Sequence, residues 1–400
     1  MIWRVVSQKV GYRKLKELVI NSSVQHLLLL LVPLVLAVIL SIAKLRSWSL
    51  IAGVIGGVLL GPAVLGSVAP AYWEEVFQGG VIEHEHYDQL VLQQETDILA
   101  ANKLGVNPNV ILQMKAAQQF ERGELQESWN AAQWSDQRTF RGYAITLIIL
   151  ILISGRMRCS VSGSAPPMML LSVGVWAAIV PCGVVAILAF WLWNPDVPSA
   201  IALGACLAAG PWTVSRWEQR AADESEQGGA ALMLRCGRVA WLIATCVALY
   251  ATWQVRGAMA LVWLLPLLML PVIWLVPTKK AKWFTAFIDY AAVPSVAAIT
   301  LVLIHPIDSL SIWPTIVVLL LCADARWLGG IIGLGLLGGR NSENAMRLAI
   351  PLVDSGVSQL CMVSLLFGVG VLPENYALAA VIGAVFLDRT APIRIKFSMK

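Results

Sequence analysis

The sequence predicts an all-α, polytopic membrane protein, and three observations predict it. Of the 400 residues, 58% are hydrophobic and only 13% charged, whereas a soluble domain carries about 25% charged residues. Apolar tracts recur along most of the chain, several as long as the roughly 20 residues that a helical crossing needs. Lysine and arginine gather at the ends of these tracts, as membrane topology demands of them.

The elements follow in order. Residues 1–25 form a basic, mildly amphipathic lead-in carrying Arg4, Lys9, Arg13, Lys14 and Lys16. The next apolar tract is long and lacks a small-residue cleavage pattern, so it is read as a span rather than a signal peptide. Residues 26–70 hold two spans, Leu27–Ala43 and the stretch Ser49–Pro70, SLIAGVIGGVLLGPAVLGSVAP. Apolarity alone needs no glycine, yet this stretch has Gly53, Gly56, Gly57, Gly61 and Gly66. Such glycines let another backbone approach, or let a helix open where it lines a cavity.

Residues 71–140 break the pattern with eleven Asp and Glu against four Lys and Arg, a net of −7. Their second half has helix-forming composition, and a small helical cap is expected. Residues 141–390 then hold nine more spans, near Tyr143–Ser154, Met168–Trp193, Ser199–Trp212, Ala230–Trp253, Ala258–Val276, Trp283–Ile304, Ile312–Leu337, Leu348–Leu372 and Tyr376–Leu387. The total is about eleven crossings, followed by a basic tail at 391–400.

Placing Lys44 and Arg46 in the cytoplasm and alternating puts Arg156/Arg158, Arg216/Arg220, Lys279/Lys280/Lys282, Arg340/Arg347 and the basic tail on that side. The acidic 71–140 insert then lies outside. The basic lead-in also falls outside. A translocated tail, an interfacial helix and a span count off by one all remain open for it.

The residue pattern argues against several functions. The seven cysteines lie in or beside apolar tracts, so neither a disulfide framework nor a zinc site is expected. No nucleophile motif accompanies His26, His84, His86 or His305, and no enzyme is expected. Basic residues mark helix ends rather than a nucleic-acid surface. Glu83–Asp88, EHEHYD, has metal-ligand residue types, and an extended strand would put His84 and His86 on one face. The preferred reading is a solvated acidic loop. GLGLLGG at 333–339 sits in an apolar span with no preceding strand, so it is read as helix packing rather than a phosphate loop. No metal or cofactor is expected.

GVLLGPAVLG closely resembles the early membrane helix of the monovalent cation:proton antiporter-2 family. Further resemblances follow in the same order: ITLIILILISGRMR, PSAIALGACLAAGPWTVSRW, AAVPSVAAITLVLIHPID and IPLVDSGVSQLCMVSLLFGVGVLPENYALAAVIGAVFLDRTAPI. The resemblance covers most of the chain outside 1–25 and 71–140. It implies an inverted-repeat, sodium/proton antiporter-like fold in which two discontinuous helices cross near the midplane. It further implies a homodimer, a multi-pass place in the cell membrane (the bacterial inner membrane), and exchange of a monovalent cation and/or a proton. Gly210 and Pro211 are expected at the first interruption and Gly356 at the second, because Pro removes a backbone donor and Gly tolerates open backbone.

The chain departs from the family where its ion-binding acid belongs. ALMLRCGRVAWLIATCVALY holds no Asp or Glu, but Arg235 and Arg238 three residues apart. Ionisable residues within spans are functional hypotheses by default. The candidates are Asp289, Asp324, Arg326 and Asp354, with Asp388 near an end. Pairing of Arg238 or Arg235 with Asp354 or Asp289 would make either a proton-sensitive switch or a static bridge; snorkelling suits Arg235 equally. Asp324 and Arg326 do not face each other, and a helix break near Gly329–Gly330 is open to them. The expected function is an antiporter-like transporter with a rearranged charge set. The alternative is a transport-inactive relative acting as a sensor or as a subunit of a membrane complex.

Overall fold

The computed structural model describes residues 24–43, 49–158, 167–193, 196–211, 227–264, 282–338, 342–353 and 355–398. Among them no strand forms. The principal helices are α1 (Val24–Ile42), α2 (Ser49–Leu60), α3 (Val81–Lys103), α4 (Pro108–Asp136), α5 (Arg138–Arg158), α6 (Pro167–Trp193), α7 (Val197–Ala208), α8 (Gln227–Arg256), α9 (Val293–Leu301), α10 (Ile312–Gly338), α11 (Ser342–Ala349), α12 (Gly356–Gly368) and α13 (Glu374–Ser398).

Six helices among the described residues are long and apolar enough to cross a membrane: Val24–Ile42, Ser49–Gly66, Met168–Trp193, Arg235–Arg256, Trp283–Leu301 and Ile312–Leu336. A seventh crossing results if Asn344–Val353 and Gly356–Gly368, bent by 46°, form one broken span. Arg141–Gly155 and Val197–Ala208 are apolar but shorter. At 12 residues, α7 is about 18 Å long, well short of a hydrocarbon core of about 30 Å. Of the other segments in the eleven-span reading, most of Ala258–Val276 lies outside the described residues, and Tyr376–Leu387 is the apolar first half of α13. Leu31, Val35, Ile187, Trp191 and Leu320 stand exposed along α1, α6 and α10. Lipid is the solvent in which such faces carry no penalty.

The chain divides into two compact units, Met1–Leu27 with Leu65–Arg141, and Leu28–Val64 with Gly142–Lys400. In the first, α3 and α4 form a helical hairpin. Its turn uses Gly105 at φ 66°, and the side chain of Asn107 accepts the amide of Asn109 at 3.0 Å to start α4. Between the helices, Gln94 donates to Glu121 at 3.0 Å and accepts from Arg122 Nε at 2.6 Å. The EHEHYD segment is helical, not an extended strand, so His84 and His86 point in different directions. His84 stacks on Trp129 with ring centroids 4.4 Å apart, and no metal-holding group occurs among the described residues.

In the second unit the shorter helices are the most buried. Every residue of α9 is buried, as is nearly all of α12. The glycines of the opening stretch explain how α9 is enclosed. A Cβ on Gly53 would lie 2.3 Å from the Pro294 carbonyl, and one on Gly57 2.8 Å from Leu301 Cβ. One turn apart, the two glycines seat α9 against α2 at backbone distance, as small residues do between membrane helices. Beyond Leu60 the chain continues as a π-helical turn, Pro62–Gly66. Gly329 and Gly333 repeat the device on α10, where a Cβ would meet the Trp176 carbonyl at 2.4 Å and Val173 Cα at 2.6 Å. Helix α10 is therefore continuous through Gly329–Gly330 and has no break there.

Gly53→Val is expected to lower the melting midpoint of the detergent-solubilised protein, because the added atoms meet backbone that cannot rotate aside; overpacking of this kind costs about 1–3 kcal/mol. Gly335→Ala, at a glycine with nothing within 4 Å, is expected to leave the midpoint unchanged or raise it. Equal midpoints for Gly53→Val and the wild type would refute the close-packing account.

Candidate functional site

Two interruptions of the helical chain define the site. The first ends α7. Its last hydrogen bond runs from the Ala209 amide to the Cys206 carbonyl at 3.4 Å, and Ala209–Pro211 are buried but not helical. Gly210 and Pro211 press against α8: a Cβ on Gly210 would lie 2.3 Å from the Gly237 carbonyl, and one on Gly237 2.6 Å from Pro211 Cδ. The second interruption separates the 3-10 turn Ile350–Val353 from α12. Ser355 is buried with φ −126° and ψ 16°, outside the helical well. A Cβ on Gly356 would meet the Ala384 carbonyl at 2.5 Å and Asp388 Cβ at 3.3 Å, so glycine is what lets α12 begin against α13.

Arg326 joins the two. It lies near the middle of α10 and is only 1% exposed. Its Nη2 donates to Gln359 Oε1 in the first turns of α12 at 3.0 Å, and to the Cys206 carbonyl in the last turn of α7 at 3.4 Å. Gln359 is fixed in turn by donating Nε2 to the Ala380 carbonyl at 2.8 Å. The last carbonyls of a helix carry partial negative charge and lack intrahelical donors. A guanidinium on one of them is electrostatically sound. Arg326 nevertheless leaves Nε and Nη1 without a hydrogen-bond partner. The groups near enough to act on it electrostatically include the thiols of Cys182, Cys206 and Cys322 and a second guanidinium, that of Arg394. Arg394 itself donates to the Leu387 carbonyl at 2.8 Å.

The expected site residues are distributed around this centre unevenly. Arg238 is buried, 8% exposed, and Arg235 half-buried. Both flank Gly237, so their helix touches the first interruption through the residue between them. Asp289 is half-buried in the π-helical turn Ile288–Ala292. Asp324 is exposed, on a different face of α10 from Arg326, and is not brought to the centre. Asp354 lies outside the described residues. Sequence reasoning counted Arg326 among the intramembrane charges but centred the site on Arg235 and Arg238. It missed Gln359, a neutral residue whose only signal is an amide inside an apolar segment.

No family model matches the chain, and no curated protein matches it.

Proposed function

We propose that this chain is an integral membrane transporter of the cation:proton antiporter type, with about eleven crossings and an ion centre rebuilt around Arg326. In this reading the two interrupted segments form the moving core, the other helices form a panel that dimerises, and access alternates between the faces of the membrane. The protein sits in the cell membrane with the acidic α3–α4 hairpin outside. The observation that carries the reading is the tie between the interruptions: one buried guanidinium bonded to the end of α7 and the start of α12. Open backbone at membrane depth is tolerated only where it is enclosed by protein or lines a cavity. A charge placed there is costly unless it has work to do.

The test is flux through purified protein in proteoliposomes. An imposed pH gradient is expected to drive movement of Na⁺, K⁺ or a small anion, detected with a fluorescent pH reporter and ion-selective electrodes. A tight vesicle in which the folded protein moves none of these overturns the transporter reading.

One observation favours a second reading, a transport-inactive relative serving as a sensor or as a subunit of a membrane complex. The Arg326 guanidinium occupies a carbonyl at the end of α7, where a mobile cation would otherwise be held. A tethered cation at that point makes an exchanger scaffold static. Failure of every flux assay, with a partner captured by the full chain and lost on deleting residues 71–140, supports that reading.

A further inference from the structure

Arg326 presents a charge problem that its neighbours do not solve. A guanidinium has five N–H donors and always carries its charge. The two bonds it makes both use Nη2 and both end on neutral oxygens, an amide side chain and a main-chain carbonyl. Nε and Nη1 are buried without acceptors. No carboxylate pairs with Arg326 among the described residues. The thiols around it are neutral at physiological pH unless perturbed downward. Arg394 adds a second positive charge nearby. A buried cation lacking both a counter-charge and hydrogen bonds for its remaining donors is one of the most costly arrangements a protein core can hold. Asp324, two residues away, points elsewhere and is exposed.

We propose that Arg326 is the binding group for a small diffusible anion, a halide or a compact carboxylate, held on Nε and Nη1 between the end of α7 and the start of α12. This names the ligand class of the centre proposed above and rests on that reading for its meaning in transport. The anion supplies the charge that the helix termini and Gln359 do not. Its recognition requires only a charged donor set in a dry site, where such bonds are strongest.

Binding is read without transport, so that failure of the anion and failure of the transporter reading stay distinct. The full-length protein in detergent is titrated with potassium chloride against potassium gluconate at constant ionic strength, and the melting midpoint is followed. Chloride is expected to raise the midpoint by a few degrees along a saturating curve, as a ligand of the native state does, while gluconate has no saturating effect. Arg326→Met is expected to abolish that response. Gln359→Glu places a carboxylate where Nη2 already finds an acceptor at 3.0 Å; it is expected to raise the midpoint without salt and to remove the chloride response, and it carries the test if Arg326→Met fails to fold. An unresponsive wild type overturns the proposal. A response that emerges only in Asp354→Asn also overturns it, and identifies Asp354 as the native counter-charge. Equal chloride curves for the wild type and Gln359→Glu place any bound anion elsewhere and overturn it as well.

Discussion

Arg326→Met is expected to leave the fold standing while ion movement falls to the level of empty vesicles. Replacing buried charge by a hydrophobic residue of similar size is often neutral or stabilising by about 1–4 kcal/mol. Unbranched Met can follow the path of the arginine stem. Against that gain, Gln359 Oε1 and the Cys206 carbonyl lose their donor, at about 1–3 kcal/mol for a buried unsatisfied acceptor. The two effects nearly cancel, so the melting midpoint is expected to stay near that of the wild type. Function does not share this compensation. The guanidinium is the only described side chain that bonds both interrupted segments, and methionine restores neither the link nor the charge. Arg326→Lys, which keeps a charge but not the planar fork, is expected to retain partial flux. Paired measurements of midpoint and proteoliposome flux check this, and wild-type flux from Arg326→Met would remove Arg326 from the mechanism.

Gly237→Leu is expected to have the largest structural effect of any single substitution in the core. The contact it breaks has backbone on both sides. A Cβ at position 237 would lie 2.6 Å from both Cγ and Cδ of Pro211 and 3.1 Å from its carbonyl oxygen. The Pro211 ring has no rotamer into which to retreat. The reciprocal Cβ on Gly210 would lie 2.3 Å from the Gly237 carbonyl. Helix α8 and the end of α7 must therefore separate, and Ala209–Pro211 move with them. Overpacking costs about 1–3 kcal/mol where side chains can yield, and more is expected here. The outcome is poor recovery of folded protein, or a folded remnant with a lowered midpoint. Gly183→Ala is the matched control, since Gly183 is helical with nothing within 4 Å of its Cβ position. It is expected to be neutral or stabilising by up to about 1 kcal/mol from helix propensity. Normal yield and midpoint for Gly237→Leu would refute the close approach of α7 and α8.

Local chemistry made much of this legible. Glycine at 210 with proline at 211, and glycine at 356, act on the backbone within one residue of themselves, so the interruptions could be located from the chain. The opening glycines announced a close approach, but their partner, Pro294–Leu301, is more than 200 positions away and no local rule names it. The EHEHYD segment shows the converse failure. Its alternation suggested a strand, yet the helical hairpin that contains it also supplies Trp129 for His84 to stack upon.

By itself, the sequence determined that this is a helical membrane protein, where its polar insert lies and where its helices break. Those properties depend on residue type, spacing and local backbone freedom. Only the tertiary structure decided which charge occupies the centre. Arg235, Arg238, Asp324 and Arg326 are equally ionisable as letters; burial and acceptors from two distant helix ends distinguish Arg326, and both are set by packing between segments far apart in the chain.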